Sequence, residues 1–361
     1  MKAPGDRTPR KGRGAVSNPA GRFERFRVVP EEDDAPGPDE EAPRLPTVVT
    51  PEATRSILAR NDSPDVPFDV SINPYKGCEH GCVYCFARPT HAYLGLSPGI
   101  DFETRIVSKP EAPEVLAREL GKAGYRCTAL ALGANTDPYQ PVERDLGITR
   151  RILEVLSDHR HPVSVVTKSS LILRDLDLLV PMAEQGLAHV FFSVTTLEND
   201  LARRMEPRAS APARRIEAMR AVAAAGIPVG VLASPMIPAL NDAELERILE
   251  AAAGAGARFA NYILIRLPGE VREIFSEWLH VHEPTRAGHV LSLLRQMHGG
   301  RLYDPAHGER MRGHGPLADL LERRFRIACR RLGLNETRPA LDTTRFGVPP
   351  RGGAQGSLFS P

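Results

Sequence analysis

Short apolar segments alternate with amphipathic ones along the middle of this chain, and this alternation is what most constrains its fold. Each apolar segment is too continuously apolar for a strand with one solvated face, so it fits a parallel strand that is covered on both faces. The spacing leaves room for a crossover helix between later strands. The predicted strands are 66–73, 128–133, 163–167, 189–194, 229–234 and 261–267. They predict an α/β fold, a partial (β/α)6 TIM-type barrel with functional residues on the loops after the strands.

The ends of several predicted helices are marked by particular residues. Gly124, Gly186, Gly226 and Gly256 stand where a left-handed residue would end a helix before the next strand. Asn241 followed by Glu244 predicts a capping box that begins a helix over 242–253.

Composition divides the chain into four parts. Residues 1–45 are basic and then acidic and proline-broken (EEDDAPGPDEEAP), which predicts a disordered tail. The barrel core is predicted over 46–270, a helix-rich extension over 271–334, and a flexible C-terminal tail over 335–361.

Charge and hydropathy restrict the function classes. The formal net charge is only +2, so nucleic-acid binding would need a local basic patch. No apolar run is long enough to span a membrane, and the basic, proline-containing N-terminus lacks the apolar core of a secretion signal. We therefore expect a cytoplasmic protein.

Three of the five cysteines are packed into eight residues directly after the first predicted strand. Cys78, Cys82 and Cys85 form the pattern C-x3-C-x2-C. Three thiolates on one loop can bind three irons of a 4Fe-4S cluster and leave the fourth iron open to another ligand. A structural zinc site, with His80 or His91 as the fourth ligand, is the alternative, although zinc cysteines normally come as two separated pairs.

This cysteine pattern, with Tyr84 before the third cysteine and a βα barrel behind it, resembles the radical S-adenosylmethionine (SAM) superfamily over about residues 65–270. The resemblance implies an enzyme in which SAM chelates the open iron through its amino and carboxylate groups. One electron from the cluster then cleaves the C5′–S bond of SAM, giving a 5′-deoxyadenosyl radical that abstracts hydrogen from a substrate. It also implies a reducing electron donor such as flavodoxin or ferredoxin.

The resemblance assigns further residues to SAM. Tyr84 would lie near the adenine, and the turn after the second strand would approach the methionyl amino group. Lys168 and Ser193, after the third strand and within the fourth, resemble SAM contacts of spore photoproduct lyase, and Arg204 could reach the same carboxylate. The residues of the second-strand turn are Asn135, Thr136 and Asp137.

The segments around the cysteines, TDPYQPVE and VTKSS look like the spore-photoproduct-lyase-like branch of the superfamily. That lyase uses a cysteine just ahead of its second-strand turn as hydrogen donor, and this chain has Ala134, Asn135 and Thr136 there. Cys127, at the other end of that strand, is too far away to replace it.

The C-terminal residues resemble the short peptides with which bacterial repair proteins bind the DNA sliding clamp, and five arginines in the preceding helix could meet phosphates. We therefore expect a nucleic-acid substrate and a clamp partner. A non-catalytic iron-sulfur or zinc module tethered to the clamp, and an enzyme for a small metabolite or a protein, are the alternatives. The clamp residues are Gln355, Ser357, Leu358 and Phe359, and the arginines are Arg323, Arg324, Arg326, Arg330 and Arg331.

Overall fold

All six predicted strands exist and lie side by side in one sheet. The structure is a computed structural model, and it describes residues 9–24, 45–337 and 340–349. Its strands are Val48–Pro51 (β1), Leu58–Arg60 (β2), Val70–Ile72 (β3), Tyr75–Lys76 (β4), Arg105–Ser108 (β5), Leu130–Leu132 (β6), Val163–Thr167 (β7), Ala188–Ser193 (β8), Val229–Met236 (β9) and Phe259–Leu264 (β10).

The larger sheet has the order β10-β9-β8-β7-β6-β3-β2, so its six parallel strands follow the order of the chain. The edge strand β2 runs antiparallel to β3. Within the described residues β2 and β10 form the two edges of this sheet, which makes it the partial barrel that the sequence predicts. A smaller sheet of β1, β5 and β4 lies in the segments around the cysteine loop.

Helices connect the parallel strands and cover the sheet. They are Asp101–Thr104 (α1), Ala112–Leu120 (α2), Glu143–Leu146 (α3), Ile148–Asp158 (α4), Leu176–Glu184 (α5), Asn199–Met205 (α6), Pro212–Ala224 (α7), Leu245–Gly254 (α8), Val271–His282 (α9), Pro284–Met297 (α10) and Pro316–Leu332 (α11). Ile152 and Leu156 of α4 and Val190 and Phe192 of β8 are fully buried in one core. Burial of the parallel strands beneath such helices accounts for their continuous apolar sequences.

Three of the four predicted glycine caps are confirmed. Gly186, Gly226 and Gly256 have φ of 72°, 83° and 93°, in the left-handed region. Gly124 does not act in this way, because α2 ends at Leu120 and is capped by Gly121 with φ of −77°.

The predicted capping box at Asn241 and Glu244 is wrong, because both side chains have tertiary partners. The Asn241 amide donates to the carbonyl oxygens of Thr195 and Pro235, at 2.7 and 2.9 Å. Glu244 accepts from the Thr196 hydroxyl at 2.5 Å. A 3-10 turn over Asp242–Glu244 precedes α8 instead.

The helix-rich region after the barrel consists of α9, α10 and α11. Trp278 of α9 is fully buried, and its indole N–H donates to the carbonyl oxygen of Arg204 at 3.0 Å, which joins α9 to α6. No helix in the described part of the chain is both long enough and apolar enough to cross a membrane.

Residues 340–349 return to the side of the sheet where the parallel strands begin. The Gly347 N–H donates to the carbonyl oxygen of His159, and the Asp342 N–H to that of Gly186, both at 3.0 Å. The ring of Phe346 packs against His161, with 5.4 Å between the ring centroids. This segment therefore contacts the face opposite to the loops that follow the strands.

Candidate active site

The three cysteines lie on the loop that follows β3, at the end of the sheet where a barrel enzyme binds its ligands. The Cys78 N–H donates to the Phe102 carbonyl oxygen at 2.9 Å, and the Cys85 N–H to that of Cys82 at 3.1 Å. Gly77 has φ of 82°, and a β-carbon there would stand 2.8 Å from the His91 ring. Only glycine fits this position, so the path of the loop into Cys78 is fixed by sterics.

All three thiols are free, and Cys78 and Cys82 are buried. Burial raises the pKa of each of them, and the neighbouring carboxylates of Asp137 and Glu206 add to the effect on Cys78 and Cys82 respectively. Binding of a metal centre as thiolates would therefore release protons. The donor set, three thiols on one short loop, fits a 4Fe-4S cluster with one iron that the protein does not ligate.

The two histidines that could complete a zinc site each lie near another group, although Nδ1 of both is buried and has no hydrogen-bond partner in the described residues. His80 Nδ1 lies 3.4 Å from a carboxylate oxygen of Asp137, and His91 Nε2 lies 2.9 Å from the carbonyl oxygen of Arg105. Among the described residues, no three cysteine, histidine or acidic side chains group closely enough to hold one metal ion. Zinc needs its ligands around a single ion, whereas each thiolate of an iron-sulfur cluster binds a different iron.

The turn after β6 is held mainly by hydrogen bonds within the protein. Asp137 accepts from the Lys168 N–H at 2.7 Å and from the Thr167 hydroxyl at 2.8 Å. Burial alone would raise the pKa of Asp137, but His80 and the backbone N–H groups of Lys168 and Tyr139 lower it below its usual range. The Thr136 hydroxyl donates to the Tyr75 carbonyl oxygen at 3.1 Å. Of the three residues predicted to bind the amino group, only Asn135 has a side chain without such a bond in the described residues.

Lys168 and Ser193, both of which were predicted to contact SAM, lie next to each other. The Lys168 ammonium donates to the Ser193 hydroxyl at 2.5 Å and stands 5.7 Å from the centre of the Tyr84 ring. Ser193 in turn donates to the Ser234 carbonyl oxygen at 3.1 Å. The Tyr84 hydroxyl lies 3.0 Å from that of Thr195 and also donates to Glu206. The loop after β3 and the ends of β7, β8 and β9 therefore meet at one point.

Sequence reasoning missed Glu206 and Arg215, which lie in the interior next to Lys168. Both side chains are almost wholly buried and form an ion pair, and the Lys168 ammonium lies 3.3 Å from the same carboxylate. Burial works to raise the pKa of Glu206, but Arg215, Lys168 and the Thr195 and Tyr84 hydroxyls lower it well below its ordinary value. No local sequence pattern marks Glu206, because its partners come from four different segments.

Arg204, which was also predicted to reach the SAM carboxylate, does not contact Lys168, Ser193 or Glu206 and has partners elsewhere. Its guanidinium pairs with Glu283 at 2.5 Å and with Asp200 at 3.0 Å, and donates to the His282 carbonyl oxygen at 3.0 Å. These contacts fasten α6 to the junction of α9 and α10, so the positive charge of Arg204 is already compensated.

An N-terminal strap (residues 9–24) packs against the cysteine loop. Ala15 is fully buried, and the N–H groups of Gly14 and Ala15 each donate to the Glu103 carboxylate at 2.8 Å. Arg88 donates to the same carboxylate, and its Nε donates to the Cys82 carbonyl oxygen at 2.9 Å. Residues 9–24 of the predicted disordered tail are therefore packed on the protein, because the Gly14 and Ala15 N–H groups bond to the buried Glu103 carboxylate.

The basic cluster of α11 is largely paired. Arg324 contacts Glu246 at 2.7 Å, Arg326 contacts Glu322 at 2.7 Å, and Arg331 contacts Glu250. These pairs leave α11 with less positive charge for phosphates than its sequence suggests. The predicted clamp-binding residues Gln355, Ser357, Leu358 and Phe359 lie outside the described residues.

A βα sheet with three cysteines on the loop after its first parallel strand, and a lysine and a serine at the neighbouring strand ends, is the arrangement of a radical SAM enzyme. The family model of the Radical SAM superfamily matches residues 72–252. The chain belongs to this superfamily, whose members cleave SAM with an iron-sulfur cluster.

Relatives and solved structures are consistent with this assignment. An uncharacterised protein of Mycobacterium tuberculosis (strain ATCC 25618 / H37Rv) is 34% identical over 296 residues, which are 81% of this chain and 83% of the relative. An uncharacterised protein of Methanocaldococcus jannaschii is 30% identical over 173 residues, 48% of this chain and 62% of the relative. A spore photoproduct lyase variant with bound AdoMet and dinucleoside spore photoproduct matches with a TM-score of 0.57 at 15% identity, covering 79% of this chain and 80% of the lyase. At this identity the likeness is one of fold.

Proposed function

We propose that Cys78, Cys82 and Cys85 hold the 4Fe-4S cluster and that Lys168 and Ser193 bind the carboxylate of SAM. The observation that carries this proposal is the meeting of the cysteine loop with Lys168 at the ends of the parallel strands. When bound, the cluster and SAM supply a one-electron cleavage that yields a 5′-deoxyadenosyl radical.

The protein's own part is to position these groups and exclude water. Cys78 and Cys82 are 6% and 7% exposed, so the loop offers little solvent access to thiols that would carry the cluster. The Lys168 side chain is 14% exposed, so it is largely but not completely shielded from solvent. A partly desolvated ammonium binds a carboxylate more strongly than a fully hydrated one.

A nucleic acid is the substrate class that we propose. Phe86 follows Cys85 directly and is 40% exposed, and the Arg266 guanidinium lies 4.7 Å from the centre of its ring. The Nε of Arg266 is buried and has no hydrogen-bond partner in the described residues. An exposed aromatic ring beside an arginine suits a stacked base and its phosphate. The structural neighbour that holds a dinucleoside photoproduct supports the same class.

The hydrogen donor differs from that of spore photoproduct lyase in this proposal. Cys127 precedes β6 whereas Asn135 follows it, so Cys127 lies at the opposite end of the strand from the site. We therefore propose a reaction that does not use a cysteine from this strand.

The first test is SAM cleavage by the reconstituted protein. Wild type, Cys82→Ala and Cys127→Ala are loaded anaerobically with iron and sulfide, reduced with SAM present, and assayed for 5′-deoxyadenosine. We expect wild type and Cys127→Ala to form it and Cys82→Ala to form none. Equal product from Cys82→Ala, or none from a wild type loaded with four irons, would contradict the proposal.

The substrate class is tested separately by fluorescence anisotropy with single-stranded DNA and RNA oligonucleotides. Phe86→Ala is expected to weaken binding by about 1–3 kcal/mol, the usual contribution of one stacked base. Arg324→Ala is the matched control, because that arginine is already paired with Glu246. Failure of wild type to bind either nucleic acid would point instead to a metabolite or protein substrate.

A further inference from the structure

Glu206 lies between two cations in the interior of the site. Its side chain is fully buried, that of Arg215 is 1% exposed, and both Arg215 and Lys168 contact its carboxylate. Burial of charges is costly unless they are paired, and here Arg215 is the permanent partner in the interior. Two cations share one carboxylate, so one positive charge remains at Lys168, the most exposed member of the three. The group is thus built to receive an anion.

The same carboxylate is attached to the cysteine loop. The Tyr84 hydroxyl donates to Glu206, and the Thr195 hydroxyl donates to it at 2.6 Å. The backbone continues this attachment on both sides of Glu206: the Val83 N–H donates to the Met205 carbonyl oxygen at 3.0 Å, and the Arg208 N–H to that of His80 at 3.2 Å. Residues 205–208 therefore lie along the cysteine loop.

Arg215 extends the attachment to the strand that carries Ser193. Its Nη1 donates to the Ser193 carbonyl oxygen at 3.0 Å, and its Nε to that of Ser210 at 2.7 Å. The Lys168 ammonium is thus held from one side by the Ser193 hydroxyl and from the other by Glu206. Its location relative to the cysteine loop depends on Glu206.

We propose that Glu206, held by Arg215, is the positioning residue that sets the Lys168 ammonium relative to the cluster loop. This inference rests on the proposed function, in which Lys168 binds the SAM carboxylate. A ligand that is chelated at the cluster and paired at Lys168 needs both partners at a fixed separation. Glu206 sets that separation because it bonds to Tyr84 of the cluster loop and to Lys168 at once.

The test compares SAM with decarboxylated SAM, which lacks only the carboxylate. Equilibrium dialysis with reconstituted protein measures both affinities in wild type, Lys168→Met, Glu206→Gln and the double variant. We expect Glu206→Gln to weaken SAM binding by at least about tenfold, the equivalent of one charge-assisted hydrogen bond, and to leave the decarboxylated ligand within about twofold. The double variant should bind SAM no more weakly than Lys168→Met, because Glu206 acts through Lys168.

Glu244→Gln is the matched control. Glu244 is also a buried carboxylate after a neighbouring strand, but it accepts from the Thr196 hydroxyl and the Leu197 N–H at 2.5 and 2.8 Å and contacts neither Tyr84 nor Lys168. The Glu244→Gln variant should bind both SAM and decarboxylated SAM with the affinities of wild type. If Glu206→Gln does not fold, Glu206→Asp keeps the counter-charge for Arg215 but draws the carboxylate away from Lys168, and should show the same selective loss.

The outcomes separate this inference from the proposed function. Equal weakening of both ligands by the Glu206 variants, losses that add to that of Lys168→Met, or no effect would each overturn the positioning role. If Lys168→Met itself binds SAM as wild type does, the proposed carboxylate site fails first, whatever the Glu206 variants do.

Discussion

The contact between the N-terminal strap and the cysteine loop can be broken by adding one methyl group. A β-carbon at Gly14 would stand 1.9 Å from the Gly81 carbonyl oxygen, whereas real contacts of this kind are essentially never below 3.0 Å. Gly14→Ala therefore requires the strap or the Gly81 peptide to move by more than 1 Å. Because Gly81 lies between Cys78 and Cys82, either movement affects the fit of the strap on the cluster loop.

The cost follows from the two ways in which the clash can be relieved. Strained accommodation of an added methyl group typically costs about 1–3 kcal/mol. Release of the strap instead gives up two hydrogen bonds to the Glu103 carboxylate, each contributing about 1.5–3 kcal/mol. The less costly route sets the result, so we expect Gly14→Ala to lower the free energy of unfolding by about 1–3 kcal/mol.

Thermal unfolding and limited trypsin digestion measure this effect. Gly14→Ala should unfold at a lower temperature than wild type and be cleaved faster after Lys11 and Arg13. Gly12→Asn is the control, since a β-carbon at Gly12 meets nothing within 4 Å and asparagine tolerates its φ of 76°. Unchanged melting and cleavage in Gly14→Ala would refute the packing of the strap on Gly81.

Two further predictions concern partly buried titratable groups. Asp137→Asn should lower the free energy of unfolding in urea by about 1.5–3 kcal/mol, since the charged acceptor for the Lys168 N–H and the Thr167 hydroxyl is lost, and an unchanged midpoint would contradict this. Burial lowers the pKa of His189 to about 4 in the folded protein, whereas a histidine in the unfolded chain has a pKa of about 6.5. As the pH drops from about 6.5 towards 4, the unfolded chain is protonated and the folded protein is not, so the free energy of unfolding falls. Between pH 7 and pH 5 the free energy of unfolding of His189→Leu should therefore fall by about 2 kcal/mol less than that of wild type. Equal falls for the two proteins, measured by urea titration at both pH values, would argue against a neutral His189 in the folded state.

The parallel strands were predictable because burial on both faces leaves a continuous apolar record in the sequence. The segment predicted over 189–194 is β8 at Ala188–Ser193, and 163–167 is β7 without change. The cysteine loop was equally predictable, because its three thiols are close together in the sequence.

Side-chain partners distant in sequence were not predictable. Asn241 and Glu244 have the spacing of a capping box, but buried carbonyl and hydroxyl groups of a neighbouring loop compete for both side chains. Arg204 and Glu206 are two residues apart, yet only Glu206 faces the site, because α6 ends at Met205 and the chain turns toward the cysteine loop. A sequence pattern reflects local periodicity, so it does not predict that the chain turns toward the cysteine loop after Met205.

The two outer segments of the described chain have a practical consequence for handling the protein. The strap lies on the cysteine loop, while residues 340–349 contact His159 and Gly186 on the opposite face. A purification handle or surface tether attached after residue 349 would therefore leave access to the cysteine loop open. The same addition ahead of the strap would pull on the segment that covers this loop, so immobilised or fused preparations should be built from the C-terminal side.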